Sequence, residues 1–232
     1  MLIIFKEAKK KLVIMKTIVS VLCLLLFIGS CSGNKKGSES KVEEISLNEL
    51  QAEVEKKRYP LEQGIIHSTS EAMGVEMNIV TYFDKWGEWE AIETTVPMEI
   101  MGEDYSSHTL EIIKGDDHWK IDLDKKSGEH FTRTRAISPL GVDVETLSDE
   151  LLGKMNLEEL GEVEHLGYKC QKMRMKSDKG THVDYVMWGN VMMQMEGEAM
   201  GIATTSRVTS IEEVAPPQEK FEIPGDVQFT EV

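Results

Sequence analysis

The sequence predicts an α+β domain in which a long antiparallel sheet is covered by two short helices. Three observations predict it. Apolar residues alternate with period two over most of residues 63–211. Turn clusters such as Asp84-Lys85-Trp86-Gly87, Gly115-Asp116-Asp117 and Lys125-Lys126-Ser127-Gly128 interrupt the alternation at hairpin spacing. A helical stripe is confined to two stretches, one opening the domain and one inside residues 138–161. Strands joined by short turns pair antiparallel, and a sheet this long must curl or close to hide one face and its edges.

In chain order, the first feature is the apolar run from Ile18 to Ile28, broken by Ser20 and Cys23. At 1.5 Å per residue it falls far short of a bilayer core of about 30 Å, so it fits a secretory segment with Lys16 before it. Leu26-Phe27-Ile28-Gly29-Ser30-Cys31 looks like a bacterial lipobox. That likeness implies a signal peptide over residues 1–30 and a diacylated Cys31 as mature N-terminus, a covalent membrane anchor. Met15-Lys16 is a more natural start than Met1, which makes residues 1–14 an over-extended beginning. Ser32 to Ser40 lacks any apolar residue, so residues 31–45 read as lipidated cysteine and flexible tether. Ser32, in place of an aspartate, resembles the sorting pattern of outer-membrane lipoproteins in diderm bacteria, with the periplasmic and surface sides both open.

The chain carries a net charge of −15; without the five lysines and one glutamate of residues 1–30 this becomes −19. So acidic a body repels nucleic acid and anionic lipid surfaces alike. Residues 46–232 suffice for one core and suggest one domain. With Cys31 lipidated and Cys23 in the leader, Cys170 has no disulfide partner and reads as a small buried hydrophobe.

Ser46-Leu47-Asn48-Glu49 has capping-box spacing, and Leu47, Leu50 and Val54 share a face up to Tyr59-Pro60, giving the first helix. From Gln63 strands take over. Val75, Met77, Ile79, Thr81 and Phe83 lie on one face, followed by strands at Trp89–Thr94, Leu110–Ile113, Trp119–Leu123 and Glu129–Arg135, with a loop around Gly102 to Ser107. Thr146 and Asp149 have cap spacing before the stripe Leu147, Leu151, Leu152 and Met155, the second helix. Further strands follow at Tyr168–Met175, Val183–Trp188, Val191–Met195 and Ile202–Ile211.

Chemical motifs are sparse. The six histidines show no metal-ligand spacing, and Asp122, Asp124 and Lys126 begin like a calcium loop but place Lys126 where an oxygen ligand belongs. Neither a nucleophile elbow nor a phosphate-cradling glycine loop is found, so no catalytic residue, cofactor or metal is expected. Methionine is the unusual feature: Met173, Met175, Met187, Met192, Met193, Met195 and Met200 crowd the last strands. The i, i+2 pairs Met173/Met175 and Met193/Met195 each present both thioethers to one face. Core packing explains such side chains, and so does a malleable cavity wall; Cu(I) would need a cysteine or histidine partner that is missing. Met173, Met175, Met193 and Met195 are the candidate ligand-cavity residues. Met193 and Met195 lie beside the Gly189 turn and before Gly197 and Gly201, where a sheet can bend.

The order of features resembles the outer-membrane lipoprotein carrier superfamily. The matching stretches are Tyr82-Phe83-Asp84-Lys85-Trp86-Gly87, Ile121-Asp122-Leu123 with the turn after it, and Leu166-Gly167-Tyr168-Lys169-Cys170. The strand ending in Trp188 and Phe221-Glu222-Ile223-Pro224 complete them. The resemblance implies a half-open β-barrel with a helical lid, no catalytic residues, and a lipid or other apolar ligand on the concave side of the sheet. The carrier that crosses the periplasm is soluble, whereas this chain reads as tethered. The expectation is therefore a membrane-attached envelope lipoprotein that binds an apolar ligand. The alternative is a structural lipoprotein with a filled core, acting in an envelope protein complex.

Overall fold

A computed structural model describes residues 57–100, 103–144, 147–176, 181–199 and 202–231. The expected leader, Cys31, the tether and the helix from Ser46 lie outside the described residues. Six strands follow one another as β1 (Gly64–Ala72), β2 (Val75–Asp84), β3 (Trp89–Ile100), β4 (Glu103–Lys114), β5 (Asp117–Asp122) and β6 (Ser127–Thr132). A six-residue helix, α1 (Asp149–Lys154), separates them from β7 (Leu157–His165), β8 (Tyr168–Lys176), β9 (His182–Trp188), β10 (Val191–Ala199) and β11 (Ile202–Glu212). A 3-10 turn at Gln218–Phe221 precedes β12 (Gln228–Glu231).

All twelve strands form one sheet in the order β12-β6-β5-β4-β3-β2-β1-β11-β10-β9-β8-β7. It consists of two meanders, β1–β6 and β7–β11, zipped together where β1 pairs antiparallel with β11. Every neighbouring pair is antiparallel except β12 with β6. Tight turns make the meanders possible. Met73-Gly74 and Leu166-Gly167 join their strands through two residues, all four at positive φ, the backbone that matches the twist of flanking strands.

The sheet matches the expected long, curved, antiparallel architecture, with corrections in detail. The described residues hold one of the two expected α-helices, the other lying outside them, and Ser148 caps it by accepting the Leu151 N–H at 3.3 Å where the sequence suggests Thr146, which is outside the described residues. Ser148 directly precedes two acidic first-turn residues, Asp149 and Glu150, which suit the positive end of a helix. The loop expected around Gly102 to Ser107 is largely strand, since β3 and β4 pair without interruption from Trp89↔Lys114 to Ile100↔Glu103. Pro97 is tolerated there because β2 follows β3 only as far as Asn78↔Thr95, leaving β3 a single neighbour beyond. Strand β7 falls inside the expected interruption at 138–161; its residues from Glu158 to Glu162 are all exposed, so no alternation marks it.

The second meander curls strongly. Bulges interrupt β10 between Met192 and Gln194 and β11 opposite His67/Ser68, and a bulge bends its strand and sharpens its twist. His165, at the end of β7, reaches the Val208 carbonyl in β11 at 2.9 Å, although β10, β9 and β8 lie between them in the sheet. The Tyr168 hydroxyl, at the start of β8, donates to Glu213 at 2.9 Å across the same seam.

Three clusters hold the fold. Tyr59, Ile66, Phe83, Met193 and Val208 pack with Cys170 and Val186 near the seam, with Tyr59 stacked on Phe83 at a centroid distance of 4.0 Å. Phe221 seals Ala91, Leu110, Ile112 and Ile121 in the first meander. Leu140, Leu152 and Leu157 cover Met173 and Met187 in the second.

Candidate functional site

The four methionines singled out by the sequence are divided by the structure. Residues directly opposite each other on paired strands share a face, so ladder registers can be followed across the sheet. One row runs Met173↔Tyr185↔Met195↔Ser206↔Ser70↔Met77 over β8, β9, β10, β11, β1 and β2. The row beside it runs Met175↔Val183↔Gly197↔Thr204↔Ala72↔Val75. Met173, Met175 and Met195 therefore share one face, whereas Met193 occupies the bulge of β10 and packs into the Tyr59–Phe83 cluster. Met173 and Met193 are both fully buried, and Met175 and Met195 are half-buried.

Between Met195 and Met77 the two rows hold only short side chains: Ser206, Ser70, Gly197, Thr204 and Ala72. With strands about 4.8 Å apart, this makes a low strip, a trough in the side-chain layer, between Met195 and Met77, and Ser70, Ala72, Met77 and Ser206 are buried along it. The Ser70 hydroxyl donates to the Thr205 carbonyl at 3.0 Å, so the floor presents few unsatisfied polar groups. Ser70, Ala72, Met77 and Val96 are buried yet belong to none of the three clusters. No sequence signal marked this trough, because it depends on the β1–β11 pairing between distant parts of the chain.

The other face of the same strands is polar. Neighbours of the methionine row (Lys172, Asp184, Gln194 and Arg207 among them) point the opposite way and, with Val163 and His165 of β7, enclose a cavity of about 240 Å³. Asp184 is held by Arg174 through two bonds of 2.6 and 2.8 Å. Hydrogen bonding from Arg174 first, and its charge with that of Lys172, hold the Asp184 carboxyl below the usual aspartate value. Cys170, deep beside the cavity, is a buried free thiol whose pKa burial pushes up, a setting for packing and not for thiolate chemistry.

A third polar group lies within the first meander. Glu90 of β3 is fully buried, with Arg58 Nε 3.1 Å from one carboxylate oxygen and Arg135 Nη2 against the other. The guanidinium groups meet it as charges without aligned hydrogen bonds, and they also bind backbone: Arg58 to the Ala136 carbonyl at 2.6 Å, Arg135 to that of Gly87 at 2.9 Å. Burial is the largest single influence on Arg58 and opposes its charge, but Glu90, Tyr59 and Glu111 together outweigh it and raise its pKa. Burial, then the Glu90 charge, also pushes the Tyr59 phenol well above its usual range. One carboxylate thus pins two segments, the one before β1 and the one after β6, to the sheet.

The histidines meet separate carboxylates: His67 meets Glu212 at 3.0 Å, His108 meets Asp124 at 3.1 Å and His130 meets Asp117 at 3.2 Å. Among the described residues no group of three His, Cys, Asp or Glu is placed to hold a metal, and no helix is long and apolar enough to cross a membrane. The calcium-like stretch is the β5–β6 hairpin turn, where Asp122 accepts the Lys125 N–H at 2.9 Å.

No family model and no curated protein matches the chain. Its structure is similar to an uncharacterized conserved protein from Thermus thermophilus, with a TM-score of 0.52 at 10% identity, covering 76% of this chain and 94% of that one. That likeness shows a shared fold. A chain of the Pseudomonas aeruginosa MucA/MucB complex aligns with a TM-score of 0.43 at 10% identity over 77% of this chain and 60% of its own. A LolA superfamily protein from Nitrosomonas europaea aligns with a TM-score of 0.36 at 10% identity over 73% and 95%.

Proposed function

We propose that this chain is an envelope lipoprotein, anchored through Cys31, that binds a lipid or other apolar ligand along the sheet face bearing Met77, Met173, Met175 and Met195. The trough is the observation that carries this reading. A strip of serine, glycine, alanine and threonine between flexible thioethers is a low floor; Ser70, Ala72 and Met77 are buried in it, so a guest enters by displacing what packs above, and methionine repacks around guests of different shape. The superfamily resemblance supports an apolar ligand without singling out this face, and the lipobox-like segment ending at Cys31 supports the anchor. Native mass spectrometry of the full-length protein extracted from membranes tests it. Non-covalent lipid retained by the wild type and reduced in Met195→Asp supports the trough; a lipid-free mass for the wild type refutes it. Alkyne fatty-acid labelling of wild type but not of Cys31→Ser tests the anchor separately.

A second reading draws on the complete burial of Met173 and Met193. A filled core with an acidic exterior suits a structural or interaction lipoprotein, and a lipid-free mass with a co-purifying envelope protein favours it.

A further inference from the structure

The polar cavity between β7 and β11 is unused by an apolar ligand bound on the opposite face. We infer that it binds a small zwitterion, a molecule carrying an ammonium group and an oxyanion a few ångströms apart. Its charges are arranged for that chemistry. Lys172 and Arg207 lie in one ladder row, Arg207↔Gln194↔Val186↔Lys172, with only a neutral floor between them. The curl that carries His165 to Val208 folds this row inward, so both cations overhang Gln194 and Val186. Glu196, two residues beyond Gln194 on the same face, adds a carboxylate beside them, whereas Glu164, between Val163 and His165, faces the other side of β7.

The charges that remain available decide the ligand. Asp184 is already neutralised by Arg174, with Lys172 a looser 3.6 Å away. Arg207 and Glu196 have no ion pair among the described residues. The cavity therefore offers two cations over its floor and the Glu196 carboxylate beside them, next to an Asp184 already held by Arg174. A simple anion would gain the cations but meet Glu196 and the field of a chain with net charge −15. A simple amine would meet the reverse. A zwitterion satisfies both sets and, being neutral overall, is not repelled at a distance. A volume of about 240 Å³ is below the usual range for drug-sized ligands, which limits the guest to a small molecule or a lipid headgroup.

Isothermal titration of the full-length protein in detergent provides the test, with glycerophosphoethanolamine, a phosphodiester that is neutral overall, as probe and inorganic phosphate and ethanolamine as controls that carry one sign of charge each. The expected result is saturable binding of the zwitterion at least about tenfold tighter than either control. Arg207→Gln and Glu196→Gln, both at exposed positions, should each weaken it by about tenfold or more, with unchanged melting of the protein. Lack of saturable binding, equal binding of phosphate alone, or full affinity in both variants overturns the proposal. Flotation with phosphatidylethanolamine-containing vesicles and with phosphatidylcholine-only vesicles then identifies the source. Binding to the former that free glycerophosphoethanolamine displaces and Arg207→Gln abolishes supports a lipid headgroup; binding of the free zwitterion without vesicle binding supports a soluble one. Because the titration reads the face opposite the methionine trough, its failure leaves the apolar-ligand reading intact, and the reverse also holds.

Discussion

At the scale of single residues, Glu90 decides more than its size suggests. Its carboxylate is fully buried and faces two guanidinium groups that are themselves largely desolvated. Removing one member of such a group leaves the others charged and unpaired, at a cost of about 3–5 kcal/mol. Glu90→Gln should lower the unfolding free energy read from urea melts by that amount, whereas replacing Glu90, Arg58 and Arg135 together by methionine should recover most of it, because no buried charge is then left alone. Equal losses in both variants would mean that the ion cluster contributes shape, not charge. The methionines allow an equally sharp comparison. Met193 is fully buried in a packed cluster, so Met193→Ala should cost about 2–5 kcal/mol through lost transfer energy and a new cavity. Met195, half-buried on the bank of the trough, loses few packed neighbours, and Met195→Ala should shift the urea midpoint much less. A loss at Met195 as large as at Met193 would make the trough part of the core and remove the room for a ligand.

At the scale of elements, the sequence exposed what is periodic and local and concealed what is non-local. Strands such as β2 and β5 were legible because one face is buried and the other is wet, and α1 because its stripe and cap lie within ten residues of chain. Strand β7 was not, since an edge strand exposed from Glu158 to Glu162 has no apolar face to alternate. Strand β12 was hidden for another reason: it is four residues long and depends on β6, a hundred positions upstream in the pairing Gln228↔Ser127 through Glu231↔His130. The trough floor and the Glu90 cluster were illegible for the same cause, as both join residues that only the β1–β11 zipper and the meander bring together. The β6–β12 contact relies on a glycine. A Cβ on Gly128 would stand 2.7 Å from the Lys120 carbonyl and 2.8 Å from the Phe229 ring, closer than atoms pack. Gly128→Ala should therefore loosen β12 and leave the second meander intact. Hydrogen exchange reads this directly: faster exchange at residues 228–231 with β8 and β9 unchanged is expected, and unchanged exchange at β12 would refute the role of that close approach.

At the scale of the whole molecule, the excess of carboxylates makes pH the natural probe, and the direction of the response follows from their surroundings. Arg174 lowers the pKa of Asp184, hydrogen bonds from His108 lower that of Asp124, and Lys126 lowers that of Asp226, each below an ordinary 3.8. Lys176 and Lys154 do the same for Glu158 and Glu150, below an ordinary 4.5. A carboxyl with a lower pKa folded than unfolded binds its proton more weakly in the native state. Its stabilisation is complete above the unfolded value and is lost as pH falls through the folded one. All five groups act in the same sense, so stability should be level from neutrality down to about pH 5 and decline below about pH 4. Protonation also relieves the mutual repulsion of an acidic chain, which works the other way over the same acid range. Location separates the two. The pairs on Asp226, Glu158 and Glu150 are exposed and weaken with salt, whereas Asp184 is largely shielded and held by a bidentate Arg174, so it should dominate the decline at high ionic strength. Urea midpoints measured from pH 7 to pH 3 in high salt should accordingly fall at the acid end for the wild type and fall less steeply for Asp184→Asn. A midpoint that rises on acidification would show that relief of repulsion outweighs the ion pairs. Identical acid slopes for wild type and Asp184→Asn would show that the Arg174 pair is not what the fold loses first.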